Sequence, residues 1–244
     1  MKLADLPEAV LDVIYPRRCV YCASSMDRIE RRSLCGTCWD KLPLIKSPFC
    51  PCCGIPFKSE YAHQWSPDHL CQDCRQSRRR FDSARYVGTY ESPLRELVLA
   101  FKLKGNPTAG GDCTDLIKEN VSSLMEGKKL DMVINVPLHQ RRLLSREFDQ
   151  AGLLAEAAAG ALRLPFPSGS LTRVINTGSQ TKVKDRKKNV RGAFMVKRPE
   201  MVAGKSVLLV DDVFTSGATM EECSRVLKRS GAAAVHLFTL ARAI

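Results

Sequence analysis

The run from Ser206 to Thr219, Ser-Val-Leu-Leu-Val-Asp-Asp-Val-Phe-Thr-Ser-Gly-Ala-Thr, constrains this chain more than any other segment. Val207 to Val210 is continuously apolar rather than alternating, as a strand covered on both faces of a parallel sheet requires. In such sheets ligands bind at the carboxyl ends of the strands. There the chain places Asp211 and Asp212, adjacent carboxylates able to accept hydrogen bonds from a vicinal diol or to help hold a divalent cation. The following turn, Thr215, Ser216, Gly217, Ala218 and Thr219, is built from small residues. It lets backbone N–H groups approach a phosphate at the start of a helix, whose free N–H groups and dipole favour an anion. Each half alone is common, as a solvated turn or as a helix cap. Joined, they read as a phosphosugar site.

From about Phe81 onward, strands alternate with helices in the α/β order. Ala84 to Tyr90 reads as a strand, and Ser92 to Lys104 as a helix with Leu94, Leu97, Val98 and Phe101 on one face. Ala109 to Met125 is a second helix, weakened by Gly110 and Gly111. Met132 to Val136 reads as a buried strand, and Phe148 to Leu162 as an alanine-rich helix that stops before Pro165. Gly217 to Ser230 is a helix with Met220, Cys223, Val226 and Leu227 inward and Gly231 at its end. Ala234 to Leu240 closes the sheet. The fold class expected is α/β, a parallel sheet flanked by helices. No internal repeat appears.

The first third has a different chemistry. Nine of the 11 cysteines fall between Cys19 and Cys74, and eight form Cys-x-x-Cys pairs: Cys19/Cys22, Cys35/Cys38, Cys50/Cys53 and Cys71/Cys74. Such a turn offers two thiolates to one ion, and two turns complete a tetrahedral zinc site. The loops between successive pairs, 12 residues from Cys22 to Cys35 and 17 from Cys53 to Cys71, suit sequential pairing into zinc-ribbon-like sites of structural zinc. Interleaved pairing, Cys19/Cys22 with Cys50/Cys53 and Cys35/Cys38 with Cys71/Cys74, is sterically open as well. Cys52, His63 and His69 are spare donors within reach of these sites. Disulfides would need an oxidising compartment, and redox Cys-x-x-Cys motifs come singly beside a βαβ pattern. The chain accordingly divides into residues 1–80, an N-terminal helix plus a cysteine-rich zinc-binding module, and residues 81–244, the α/β domain.

The helix is marked by Leu6, Val10, Val13 and Ile14 on one face, with Asp5 as cap and Pro16 as stop. The opening residues meet acids and a proline before any apolar core, and no segment reaches membrane-spanning length. A cytoplasmic protein without membrane insertion is expected. The 244 residues carry a formal charge of +12, which favours phosphorylated or nucleic-acid partners. Arg75, Arg78, Arg79 and Arg80 are the most compact positive charge, a solvated linker surface or a contact to a nucleic-acid phosphate backbone. Trp39, Tyr61 and Trp65 are either the core of the small module or stacking platforms for bases.

Two further basic loops frame the proposed site. Arg141, Arg142 and Arg146 follow a strand and precede a helix, and are suited to bidentate phosphate contacts. The stretch from Asn176 to Asn189 lacks apolar periodicity and carries Lys182, Lys184, Arg186, Lys187 and Lys188. A loop of that length in a compact domain is usually functional or disordered.

The Ser206 to Thr219 run resembles the phosphoribosyl pyrophosphate (PRPP) signature of type I phosphoribosyltransferases. That resemblance assigns the ribose 2- and 3-hydroxyls to Asp211 and Asp212 and the 5-phosphate to Thr215, Ser216, Gly217, Ala218 and Thr219. It assigns the pyrophosphate to Arg141, Arg142 and Arg146, and a closing lid to the loop that holds Lys182 and Arg186. Nearly the whole chain is similar to the ComF family of bacterial competence proteins. The likeness covers Pro16 before Cys19, the Cys-x-x-Cys pairs, Tyr90-Glu91-Ser92-Pro93-Leu94-Arg95, Phe101-Lys102, Val136-Pro137-Leu138, Gln180-Thr181, Arg186, Asn189-Val190 and Ala193-Phe194. It departs at Arg146-Glu147-Phe148-Asp149-Gln150-Ala151, where the family reads Arg-Gly-Phe-Asn-Gln-Ala. Glu147 adds negative charge beside the pyrophosphate loop and Asp149 replaces a neutral amide, and both changes weaken an anion site. The resemblance implies PRPP with magnesium, a role in DNA uptake, other competence proteins as partners, and one of two activities. Either the chain transfers phosphoribosyl with release of pyrophosphate, or it is a non-catalytic PRPP or nucleotide sensor that binds single-stranded DNA. The acceptor is not legible: an amino donor, a base or none remain open.

Overall fold

The computed structural model describes residues 17–27, 31–57, 68–137, 149–175 and 190–244, apart from the side chains of 103 and 104. Its centre is a parallel sheet of β1 (Ser83–Thr89), β2 (Met132–Asn135), β5 (Ser206–Phe214) and β6 (Ala234–Arg242), in the order β1-β6-β5-β2. The uninterrupted apolar run of β5 has the predicted cause. Val207 and Leu209 face one core with Val235 and Leu237, whereas Leu208 and Val210 face the other with Phe238 and Leu240.

Helices α3 (Leu94–Lys104), α4 (Pro107–Leu124) and α5 (Gln150–Leu162) cover one face. α3 ends at Gly105, which takes the left-handed conformation at φ 57°. α4 starts on Pro107 with Asn106 as cap, its side chain accepting from the Ala109 N–H at 3.1 Å. Gly110, read in the sequence as a weakness, lets α3 approach: a Cβ there would stand 3.2 Å from the Phe101 ring. α7 (Ala218–Arg229) packs on the other face with Met220, Cys223 and Leu227 buried. The antiparallel pair β3 (Leu171–Arg173) and β4 (Phe194–Val196) lies on this side, followed by the short α6 (Pro199–Val202). Glu222 of α7 accepts from the Gly192 N–H at 2.6 Å and so ties the turn before β4 to the helix.

Several expected boundaries move. β5 continues to Phe214 and β6 to Arg242 because the ladder persists through Asp211↔Thr239, Val213↔Ala241 and Phe214↔Arg242. Asp211 and Asp212 therefore lie within a paired strand, not beyond its end. The helix expected from Ser92 begins at Leu94, the one expected from Ala109 begins at Pro107, and α5 begins at Gln150. The expected N-terminal helix, His63, Tyr61 and Trp65 lie outside the described residues.

The cysteine-rich segment contains α1 (Gly36–Trp39) and α2 (Gln72–Gln76) and docks on the free edge of the sheet. The Ile45 N–H donates to the Val87 carbonyl at 2.9 Å, Thr89 to Pro43 at 2.9 Å and Ala84 to Cys52 at 2.7 Å. These bonds satisfy backbone groups that an edge strand would leave unpaired. The segment passes around that edge. Cys19 and Cys38 join the core on the α3–α4 face, and Cys50 and Cys53 join the core on the α7 face.

Candidate functional site

The cysteines assemble into two groups of four, Cys19, Cys22, Cys35, Cys38 and Cys50, Cys53, Cys71, Cys74, and within each group all sulfurs lie within 4.8 Å of one another. The pairing is sequential, and the interleaved alternative is overturned. Cys22 and Cys35 sulfurs stand 3.8 Å apart, and Cys53 and Cys71 sulfurs 3.6 Å apart. A tetrahedron with zinc–sulfur bonds of about 2.3 Å has edges of about 3.8 Å, so both donor sets fit that ion. Four sulfurs so close cannot all ionise without a cation. Desolvation and then the Cys35 sulfur push the Cys38 thiol up. A hydrogen bond from Cys53 holds Cys50 down at about 4, while Cys53 is pushed far up by Cys50 and then by desolvation. Cys52 belongs to neither group. His69 packs edge-on against Phe57 at 5.7 Å and is likewise outside both groups.

Zinc with four thiolates is a net dianion, and burying it needs positive charge nearby. Around the second centre the chain supplies three arginines. Arg85, buried in β1, donates to the Pro51 and Ala84 carbonyls at 3.0 and 2.8 Å. Arg242, buried in β6, donates to the Cys53 carbonyl and, at 2.9 Å, to the Tyr86 hydroxyl. Arg79, five residues beyond Cys74, carries a charge that stabilises the Cys74 thiolate. Trp39 at the first centre serves as core and carries the Arg32 guanidinium 3.9 Å above its ring.

At the carboxyl end of the sheet, Asp211 and Asp212 project from β5 beside Asn135 of β2, Lys102 of α3 and Asp149 at the start of α5. The Lys102 ammonium pairs with Asp212 Oδ2 at 2.6 Å. Asp212 Oδ1 accepts from the Val213 N–H at 2.6 Å, and Asp211 Oδ1 from the Asp212 N–H at 2.9 Å. Desolvation, and then the neighbouring Asp212 charge, push Asp211 up to about 8. Asp149 is also raised by desolvation, against the pull of the Gly152 and Ala151 amides, and its Oδ2 accepts from Asn135 Nδ2 at 2.9 Å. The surroundings thus favour the protonated form of Asp211 and set a lysine against Asp212. Such a pair offers both a donor and an acceptor to a diol. It is a poor ligand set for a bare cation.

The turn after β5 has the geometry that its sequence requires. Thr215 and Ser216 are exposed, Gly217 and Ala218 are buried, and Thr219 is half-buried in the first turn of α7. Gly217 has φ 74°, and a Cβ there would lie 2.5 Å from the Phe214 ring. Glycine is thus required twice, by backbone conformation and by contact. Ser216 Oγ accepts weakly from the Ala218 N–H at 3.5 Å. Arg141, Arg142, Arg146, Lys182 and Arg186 lie outside the described residues. Lys102, Asn135 and Arg242 were not singled out as site residues in the sequence. The two buried or pairing cations gave faint signals: Lys102 in the last turn of an amphipathic helix, and Arg242 directly after an apolar strand.

This architecture defines a phosphoribosyltransferase-fold domain joined to a double zinc ribbon. A double zinc ribbon domain family matches residues 10–78 and the phosphoribosyl transferase domain family matches residues 153–244. Competence protein F of Haemophilus influenzae is 30% identical over 93% of this chain and 97% of its own length. The DNA utilization protein YhgH of Escherichia coli K12 is 30% identical over 86% of this chain and 91% of its own. Among solved structures, the glutamine PRPP amidotransferase of B. subtilis aligns at TM-score 0.42 and 20% identity, over 58% of this chain and 30% of its own. The chain belongs to the ComF family of competence proteins. No helix among the described residues is long and apolar enough to cross a membrane.

Proposed function

We propose that this chain binds PRPP with magnesium at the end of β5, in a role connected with DNA uptake or use. The observation that carries the reading is the ion pair of Lys102 with Asp212 at 2.6 Å, beside Asp211 and the Thr215 to Thr219 turn. The lysine offsets the Asp212 charge, and burial together with that charge raises Asp211, so the acidic pair repels a polyanionic phosphosugar less than two free carboxylates would. Asp212 accepts from one ribose hydroxyl and the Asp211 carboxyl completes the grip on the other. The N–H groups of the Thr215 to Thr219 turn take the 5-phosphate, with the α7 dipole behind them. Magnesium would be held mainly by the oxygens of PRPP rather than by this chain's carboxylates, and would supply positive charge at the pyrophosphate. Arg141, Arg142, Arg146, Lys182 and Arg186 carry the pyrophosphate on the strength of family resemblance.

The DNA connection comes from the names of the relatives, a competence protein and a DNA utilization protein. A second reading, a PRPP-responsive protein that binds single-stranded DNA without transfer chemistry, is favoured by one observation. Arg75, Arg78 and Arg80 are exposed, and the Arg80 N–H donates to Glu221 in the first turn of α7 at 2.8 Å. Exposed arginines so close in sequence suit a polyanion.

Calorimetric titration with PRPP and magnesium, beside an Asp211→Asn, Asp212→Asn double variant, tests the site. Binding by the native chain and its loss in the variant is expected. Equal heats from both proteins would sink the assignment. Consumption of PRPP in the presence of a nucleobase or amine then separates transferase from sensor.

A further inference from the structure

The second cysteine centre touches both ends of the phosphate turn, and the first touches neither. On the strand side, Arg242 donates to the Cys53 carbonyl and to the Tyr86 hydroxyl, and its guanidinium lies 5.1 Å from the centre of the Phe214 ring. Phe214 is held edge-on by Tyr86 at 5.4 Å and by Phe81 at 6.4 Å. That same ring is the floor against which Gly217 sits, with no space for a methyl group between them. On the helix side, the segment that leaves Cys74 carries Arg79 to Glu221 in the first turn of α7, its Nη1 standing 3.6 Å from Glu221 Oε1. The neighbouring Arg80 N–H donates to the other Glu221 oxygen at 2.8 Å. Cys19, Cys22, Cys35 and Cys38 instead pack with the residues of the α3–α4 face. Their link across the molecule is the Ser33 N–H to Asp112 on α4, at 2.7 Å.

We infer that metal held by Cys50, Cys53, Cys71 and Cys74 sets the shape of the Thr215 to Thr219 turn, so that zinc occupancy of this centre and phosphosugar affinity are linked. The inference rests on the PRPP reading for its ligand but not for its mechanism. Zinc fixes the positions of the Cys53 carbonyl and the Cys74 sulfur. The Cys53 carbonyl fixes Arg242 and the backbone leaving Cys74 fixes Arg79 and Arg80, and these arginines fix Phe214 and Glu221 on either side of the turn. Arg79 and Arg242 are positioning residues. Because linkage is reciprocal, bound ligand must also slow metal loss from this centre.

The test compares the full chain with two pairs of ligand variants, Cys71→Ser, Cys74→Ser and Cys22→Ser, Cys35→Ser, each verified by mass spectrometry to hold one zinc. Arg79→Ala and Arg79→Lys join them, since both retain all eight cysteines. Hydrogen exchange of the amides of residues 215–219 is measured without ligand, and the dissociation constant for magnesium PRPP by calorimetry. Loss of the second centre, and Arg79→Ala, are expected to raise exchange at the turn and weaken binding by about tenfold, within the usual range of coupling between sites. Loss of the first centre leaves both quantities unchanged, and Arg79→Lys recovers part of the loss. Magnesium PRPP slows zinc transfer to a chelator from the second centre alone. Equal exchange at the turn after loss of either centre, or no change with Arg79→Ala, overturns the linkage. If the native chain fails to bind PRPP while exchange still follows the second centre, the ligand reading falls and the linkage stands.

Discussion

Asp211 and Asp212 are adjacent in sequence and identical in chemistry, yet their surroundings differ sharply. Lys102 neutralises Asp212 directly, whereas Asp211 is desolvated and sits beside that charge, which raises it to about 8. An acid raised above its usual value of 3.8 binds a proton in the native state that the unfolded chain has already released. Native stability therefore falls as pH rises from about 4 to about 8, by at most about 1.4 kcal/mol per pH unit from this group. Asp211→Asn, which mimics the protonated carboxyl, removes that slope from denaturation curves collected across this range. It also preserves PRPP binding at pH 7 within a few-fold and abolishes the fall in affinity expected above pH 8. Asp212→Asn strands the Lys102 charge and costs at least about tenfold in affinity, since hydrogen bonds to charged groups contribute about 1.5–3 kcal/mol. Equal losses from the two single variants would contradict this division of roles. The pair itself was plain in the sequence. Its asymmetry was not, because Lys102 reaches Asp212 from a helix more than a hundred positions upstream and no local pattern announces the contact.

At the scale of elements, what could be read depended on whether the governing contacts were local. The continuous apolar run of β5, the amphipathic face of α7 and the four Cys-x-x-Cys turns each carry their cause within a few residues, and each was legible. β3 and β4 were not: Leu171–Arg173 and Phe194–Val196 are three residues each, and they become strands by pairing across the twenty positions that separate them. The reach of β5 and β6 past their apolar cores was missed for the same reason, since Asp211 and Arg242 remain in the ladder through the partner strand. The docking of the ribbon is a further contact of this kind, and Gly54 exposes it to test. This residue has φ 65°, and a Cβ on it would fall 2.3 Å from the Ala84 carbonyl oxygen of β1. Gly54→Ala must displace backbone against backbone in a conformation that costs about 1–3 kcal/mol for a non-glycine residue. A lower melting temperature and faster zinc loss from the Cys50, Cys53, Cys71, Cys74 centre are expected, followed by thermal denaturation and by a colorimetric chelator. Unchanged values for both would mean that the ribbon is not seated on β1 through this turn.

For the molecule as a whole, the structure ties the cysteine-rich segment closely to the sheet edge, across the division expected from the sequence at residue 80. A chain limited to residues 81–244 keeps β1 as an uncovered edge and leaves Arg85 and Arg242 without the carbonyls of Pro51 and Cys53. Exposed edge strands and unpaired buried charges both favour association or unfolding. Size-exclusion chromatography of that fragment should show aggregates, and a monodisperse fragment melting with the full chain would refute the dependence. The edge contact also bears on how the protein comes into being. The ribbon leaves the ribosome before any strand of the sheet, and domains generally fold in that order during synthesis. Metallated early, it waits as a ready-made border for β1 when that strand emerges. In a zinc-starved cell the border is missing at that moment, and the newborn chain meets chaperones and proteases with its sheet open. The abundance of this protein would then follow the metal supply of the cell with no change in transcription.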